Sequence, residues 1–396
     1  MSLDSSGPQF ASAISTNPSL DDAIAQTCDE VASKLTGQPD LILAFVSSNR
    51  ADECEQIAAE ICERLGSDCL VGCTGESILG MGREVELQSA LSIWAAVLPG
   101  ASIQPMHLNF ERSPEGGAIV GWPENMEEEW PGDTAMILLG EPFSFPADSL
   151  LERLNEDRPG VPVIGGMASG AGAPGESRLL IGTAAHQEGA VAVVVQGVKV
   201  RTVVSQGCRP IGTHFVITKA ERNVIYELGG KPALLQLKEI FDTLPTREQQ
   251  LVQSGLHVGR VVSEYQDKFQ QGDFLIRNVM GIDPDNGSIV VGEFVRPGQT
   301  VQFQIRDHQS ADDELKQLLA AVRDNSEASP LGALLFTCNG RGTRLFQKDH
   351  HDAGLVEETL GPIPLAGFFA AGELGPVGGK NFMHGFTASI ALFEPS

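Results

Sequence analysis

The sequence contains no apolar run long enough to cross a bilayer. Its longest uncharged apolar stretches, such as residues 190–195, are strand-sized, whereas a spanning helix needs about 20 apolar residues. Basic residues are scarce as well: 27 Lys and Arg stand against 52 Asp and Glu, a formal net charge of −25. That field repels phosphate backbones and anionic lipid, so neither nucleic acid nor a membrane surface is an expected partner. The acidic residues are dispersed, and the longest run, 127–129, is short enough to read as a solvated surface. The opening residues show no basic segment followed by an apolar one, so no secretory signal is expected. Seven cysteines, odd in number and without framework spacing, fit reduced thiols in a cytoplasmic protein.

What the chain does have is a core. At 396 residues and 42% hydrophobic, it can fill two or three domains. Residues 1–18 read as a polar tail, followed by a helix in which Leu20, Ile24, Cys28, Val31 and Leu35 share a face. A continuous apolar strand (41–46) and a strongly periodic helix (Cys54, Ile57, Ala58, Ile61, Cys62, Leu65) follow. The next strand runs into a glycine turn, VGCTGE (71–76), and then into the apolar run 87–98. This order recurs twice. Strand 135–139, helix 148–155 and strand 161–164 lead to GGMASG (165–170) and the run 189–196; strand 333–337 and strand 364–369 lead to GELGPVGG (372–379) and a last strand ending at 393.

Between the second and third units the pattern changes, at residues 207–212, and a domain boundary is placed there. Residues 214–225 alternate as paired strands, Pro232 opens a helix, and 245–272, rich in glutamine and weakly periodic, read as mixed loop. The Asn286-Gly287 pair between two strand patterns predicts a hairpin with a type I′ turn. A further helix begins at Ser310, capped with Asp313. The fold class is therefore α/β: repeated strand-helix-strand-strand units, mixed and largely antiparallel sheets, and helices on the outer faces of a layered sandwich. Neither glycine run fits a nucleotide site. Pro174 and a strand-like segment follow GAGAPG (170–175) where a helix should start, and Gly379-Lys380 lacks the remaining P-loop residues.

The first and third units match at their first strand ends. Phe45, Ser47 and Arg50 in one correspond to Phe336, Cys338 and Arg341 in the other, while the middle unit has Gly140 and Glu141 and no arginine there. Glu76 and Glu373 each sit in a glycine turn and are read as equivalent. From these residues a ligand site is expected in the third unit. Arg341 offers a planar fork to a carboxylate and Glu373 an acceptor to an ammonium group. Cys338, Asn339, Gly340, Gly372 and Gly375 would line it, with Asn381 and His384 behind. A secondary site would use Ser47, Arg50, Gly75 and Glu76. Cys69 and Cys73, and the run Asp349, His350, His351, Asp352, are poor metal patterns; the run reads as an exposed helix start. No metal and no cofactor is expected.

The motif CNGRG (338–342), followed by GFFAAGELGP (367–376) and residues 381–393, resembles the C-terminal half of the FIST domain. Residues 41–206, with the turn GCTGE (72–76), resemble its N-terminal half. The resemblance implies a FIST N-like domain over 19–208 and a FIST C-like domain over 209–396. It further implies an intracellular sensory module that binds a small ligand, an amino acid among the candidates, and signals to a protein partner. The alternatives are an interaction scaffold, as in F-box relatives, and an enzyme with Cys338 as nucleophile.

Overall fold

The computed structural model describes residues 7–113, 116–123, 130–265, 269, 272–326 and 328–395, so the acidic run 127–129 lies outside the described residues. The chain forms two compact units, one of residues 1–204 with 316–396 and one of residues 205–315.

The first unit contains three copies of one motif. The first copy runs β1 (Gln9–Ser15), α1 (Leu20–Lys34), β2 (Leu41–Ser47), α2 (Cys54–Leu65), β3 (Leu70–Gly75), a hairpin β4 (Ile78–Gly80) and β5 (Arg83–Val85), and β6 (Leu91–Val97). The second runs β7 (Ser102–Ser113), β8 (Gly116–Val120), β9 (Thr134–Gly140), α3 (Ala147–Asp157), β10 (Val163–Met167), a hairpin β11 (Leu179–Ile181) and β12 (Ala184–His186), and β13 (Ala190–Gln196). The third starts with β14 (Val200–Ser205) and is interrupted by the other unit.

That unit comprises β15 (Cys208–Pro210), β16 (Phe215–Glu221), β17 (Val224–Leu228), β18 (Lys231–Pro232), α4 (Ala233–Phe241), α5 (Thr246–Ser254), β19 (Leu256–Val261), β20 (Phe274–Asp283), β21 (Ser288–Val291) and β22 (Thr300–Arg306). The antiparallel order β22-β16-β17-β21-β20-β19 closes through β19–β22 pairing into a barrel, a form that leaves no open sheet edge. Helix α6 (His308–Asn325) then returns the chain to the third copy: β23 (Gly332–Cys338), α7 (His351–Leu360), β24 (Leu365–Ala370), a hairpin β25 (Glu373–Val377) and β26 (Lys380–His384), and β27 (Ala388–Phe393).

Within each copy the two strands joined by a helix pair in parallel, β2 with β3, β9 with β10 and β23 with β24, and the last strand pairs antiparallel to the first of them. Strands β2, β9 and β23 are buried almost throughout, as continuous apolar runs require when both faces are covered. One glycine per copy enforces the close approach. A Cβ at Gly72, Gly165 or Gly367 would fall on the carbonyl oxygen of Ala44, Leu138 or Leu335 on the parallel neighbour. These glycines fix the alignment of the copies.

The short hairpins are exchanged in a ring. The first copy's β4 pairs with β24 of the third, β11 of the second with β3 of the first, and β25 of the third with β10 of the second. Each sheet is completed by another copy's hairpin, and the inward faces meet in one core. Phe45 stacks on Phe368 at 5.4 Å, and Phe336 meets Phe368 edge-on at 5.8 Å. On the outer faces, α1 and α2 cover one sheet and α3 another.

Several expectations are revised. Residues 9–15, inside the segment read as a polar tail, form β1, which pairs with β6 along its whole length. The segment read as mixed loop contains α5 and β19; α5 has no buried residue, so its sequence carries no apolar periodicity. The 283–288 hairpin exists, but only Gly287 has positive φ there, and its N–H bonds Asp283 O at 2.9 Å, so the turn is wider than type I′. The helix near 310 starts at His308, with Asp307 accepting the Ser310 N–H at 2.7 Å.

Candidate functional site

The third copy concentrates its polar residues where β23 and β24 end. The chain leaves β23 at Cys338, and the Asn339 N–H bonds Ala370 O at the end of β24. The Gly340 N–H reaches Cys338 Sγ at 3.4 Å, and a Cβ at Gly340 would press on the Phe386 ring. Gly342, at φ +56°, turns the chain where a side chain would meet Phe369 and Glu86.

Arg341 is fully buried. Its Nε and Nη2 meet the two oxygens of Asp352 at 2.7 and 2.8 Å, and its guanidinium lies over Phe346. Thr337 Oγ1 donates to Asp352 at 2.6 Å, and His351 Nδ1 stands 2.8 Å from the same carboxylate. Burial raises the Asp352 pKa, but Arg341 and these donors outweigh it and hold the group well below the carboxylate range. The fork that sequence offers to a ligand carboxylate is thus filled by Asp352. His351 and Asp352, read as an exposed helix start, do open α7 but are buried.

Two further buried acids flank this pair. Glu84, brought in by the exchanged strand β5, accepts the Ala353 N–H at 2.9 Å; burial and the Asp352 charge push its pKa up to about 8. Glu373, fully buried at the start of β25, accepts the Thr387 N–H at 3.0 Å. Burial pushes its pKa up to about 8, against the Thr387 N–H, the Cys338 thiol and the Arg341 charge. Strand register also corrects the alignment of the acids. Glu373 pairs with Gly166, Ile78 with Phe368 and Leu179 with Cys73, each one step beyond the marker glycine. Glu373 therefore corresponds to Ile78 and Leu179, not to Glu76.

Glu76 instead forms a two-bond ion pair with Arg344, at 2.6 and 3.0 Å, and Arg344 also bonds Asn339 O at 2.8 Å. The two side chains are 25% and 47% exposed, so both charges are accessible. Nearby, Glu86 accepts the Thr343 N–H and hydroxyl at 2.9 and 2.6 Å.

The remaining expected residues divide. His384 pairs opposite Glu373, with Nε2 at 2.9 Å from Gly375 O. Gly372 O accepts the Met167 N–H, and Gly375 lets Ser389 and Val204 close in. Asn381 lies near the other end of the hairpin, about 10 Å along β26 from His384. There it bonds Asn155, Val161 and Val163. Beside it a cavity of about 420 Å³ opens at the start of β9 and β10, lined by Asp133, Thr134, Lys199, Thr202 and Gly379 among others. In the first copy, Ser47 bonds Gln88 O and Ala90, Arg50 holds the carbonyls of Asn17 and Pro18, and buried Gly75 packs on Phe368. Arg50 and Glu76 do not pair. Arg344, Glu84 and Thr387 were missed by sequence reasoning; only Arg344, three positions after Arg341, was within its reach.

Among the described residues, no group of three or more metal-binding side chains is gathered to hold an ion, and no helix is long and apolar enough to cross a membrane.

The sequence that folds in this way is similar to known sequences along most of its length. The FIST N domain model matches residues 40–231 and the FIST C domain model residues 233–376. Uncharacterized protein Rv0628c of Mycobacterium tuberculosis (strain ATCC 25618 / H37Rv) is 42% identical over 381 residues, covering 96% of this chain and 98% of the relative. Uncharacterized protein Mb0898c of Mycobacterium bovis is 39% identical, covering 96% and 97%. The chain belongs to the FIST family, whose domains are described in general as small-ligand-binding sensory domains in signal transduction.

Proposed function

We propose that this protein is a cytoplasmic sensory module for a small zwitterion of the amino-acid class, reporting to a signalling protein partner. The observation that carries this reading is the accessible Arg344–Glu76 pair beside Asn339 and Cys338. An exposed ion pair contributes only about 0–1 kcal/mol, so a zwitterion can replace it at small cost. The ligand carboxylate would take the Arg344 fork and its ammonium group the Glu76 carboxylate. Arg341, in this reading, stiffens the strand end through Asp352 and touches no ligand.

A melting screen with the free amino acids tests it. Ligand at a hundredfold its Kd adds about 2.7 kcal/mol, a shift of roughly 5 to 10 °C for a protein of this size. Arg344→Ala and Glu76→Gln should each abolish the shift while leaving the unliganded melt nearly unchanged. An empty panel, or a shift that survives both substitutions, sinks the reading. A second reading places the ligand in the 420 Å³ cavity, because Thr134 Oγ1 is buried there without a hydrogen-bond partner. In that case Thr202→Trp, and not Arg344→Ala, removes the shift.

A further inference from the structure

Only the third copy places a thiol beside a buried acid. Cys338 is half-buried, with the Gly340 N–H on its sulphur. Glu373 Oε2 is held by the Thr387 N–H, while Oε1 is buried with no donor at hydrogen-bond geometry. Thr387 joins the two residues, its O accepting the Cys338 N–H and its N–H donating to Glu373, each at 3.0 Å, and Arg341 and Arg344 bring positive charge to Glu373 and to Cys338. In the first copy the corresponding residues are Ser47 and Ile78, in the second Glu141 and Leu179. There Ser47 and Glu141 are engaged with neighbouring backbone, Glu141 accepting the Phe143 and Ser144 N–H groups. Burial pushes the other thiols of the first unit up, Cys28 and Cys54 to about 12, Cys62 and Cys69 to about 11, and Cys73 well above the ordinary value.

We infer that Cys338 is a peroxide-sensing thiol, oxidised to the sulfenic acid by hydrogen peroxide or a small alkyl hydroperoxide, with Glu373 relaying the proton. In the ionised fraction, which grows as pH approaches 8, the Glu373 carboxylate takes the S–H proton, and the thiolate attacks the distal peroxide oxygen. The S–O bond forms as the O–O bond breaks, and the departing oxygen takes the proton back from Glu373 to leave as water or alcohol. Sulphur loses two electrons and the peroxide gains two. One carboxyl thus serves as base and then as acid, which is what the reaction requires of a site with a single proton carrier. A half-buried sulphur beside a fully buried carboxyl suits a reagent of a few atoms. The sulfenic acid is reversible by thiols, as a sensor needs. This inference does not depend on the zwitterion reading, since its test contains no ligand.

The reduced full-length protein is treated with hydrogen peroxide in the presence of dimedone, and adducts at Cys338 and at Cys69, the other half-buried thiol, are followed by mass spectrometry. Cys338 should be trapped at least about tenfold faster, and Glu373→Gln should remove that advantage without changing Cys69. Should Glu373→Gln fail to fold, the wild-type pH profile decides. The Cys338 rate should rise more than about tenfold from pH 6 to 8 and level off beyond, while the Cys69 rate climbs on toward pH 10. Equal trapping of both thiols, an undiminished rate in folded Glu373→Gln, parallel pH profiles, or iodoacetamide alkylation of Cys338 with no dimedone adduct each overturns the inference.

Discussion

Arg341 and Asp352 meet through two hydrogen bonds, 2.7 and 2.8 Å long, with 0% and 1% of their side chains exposed. Removing either partner leaves the other charge buried and uncompensated, a loss of about 3–5 kcal/mol. Asp352→Asn and Arg341→Ala should each destabilise by that amount in urea denaturation. The double variant should cost clearly less than the sum. Arg341→Lys should not rescue, because an ammonium group cannot fill the two-oxygen fork. Additive losses would mean that the pair does not act as a unit.

Glu84 and Glu373 make stability fall as pH rises. Their native pKa values, about 8, lie above the ordinary 4.5. Between those values the unfolded chain releases protons that the native state keeps, so the stabilisation is complete below about pH 4.5 and is lost progressively up to about pH 8. Asp352 acts oppositely and loses its contribution as pH falls below the ordinary carboxylate range. The melting temperature of Glu84→Gln should therefore decline less than that of the wild type between pH 5 and 8. Identical slopes would contradict the assignment.

The marker glycines offer a test of close approach against backbone strain alone, since Gly165, Gly367 and Gly379 all have positive φ but only the first two face a neighbouring carbonyl. Gly165→Ala or Gly367→Ala puts a methyl group onto the carbonyl of Leu138 or Leu335. Either should cost on the order of 4 kcal/mol or more, or prevent recovery of soluble protein. Gly379→Ala, at a turn position with no neighbour near the new methyl group, should cost much less, and soluble expression with thermal melts separates the cases.

The triple repeat was legible because continuous apolar strands, amphipathic helices and strand-to-glycine turns recur in one order, and the residues correctly matched at 45–50 and 336–341 follow from it. Glu76 and Glu373 were misaligned because both follow a glycine in a turn, while the true alignment is set by which strand each hairpin joins. Glu373 pairs into a strand about two hundred residues earlier, a distance across which no local pattern carries information. Likewise the chemistry of Arg341 could be read, but its partner could not. Asp352 reaches it only because α7 begins by turning that residue inward. The Arg344–Glu76 pair joins positions 268 apart, again a consequence of the copies meeting.

The ring of exchanged hairpins makes the first unit hard to take apart by cutting it. A protease nick in the linker between two copies severs the chain but none of the three hairpin pairings, so the pieces should co-elute under native conditions and separate only in denaturant. The same interlocking lets a whole barrel sit in the chain between β14 and α6 without opening the ring: the copies are held by strands lent across them rather than by the order in which they are threaded.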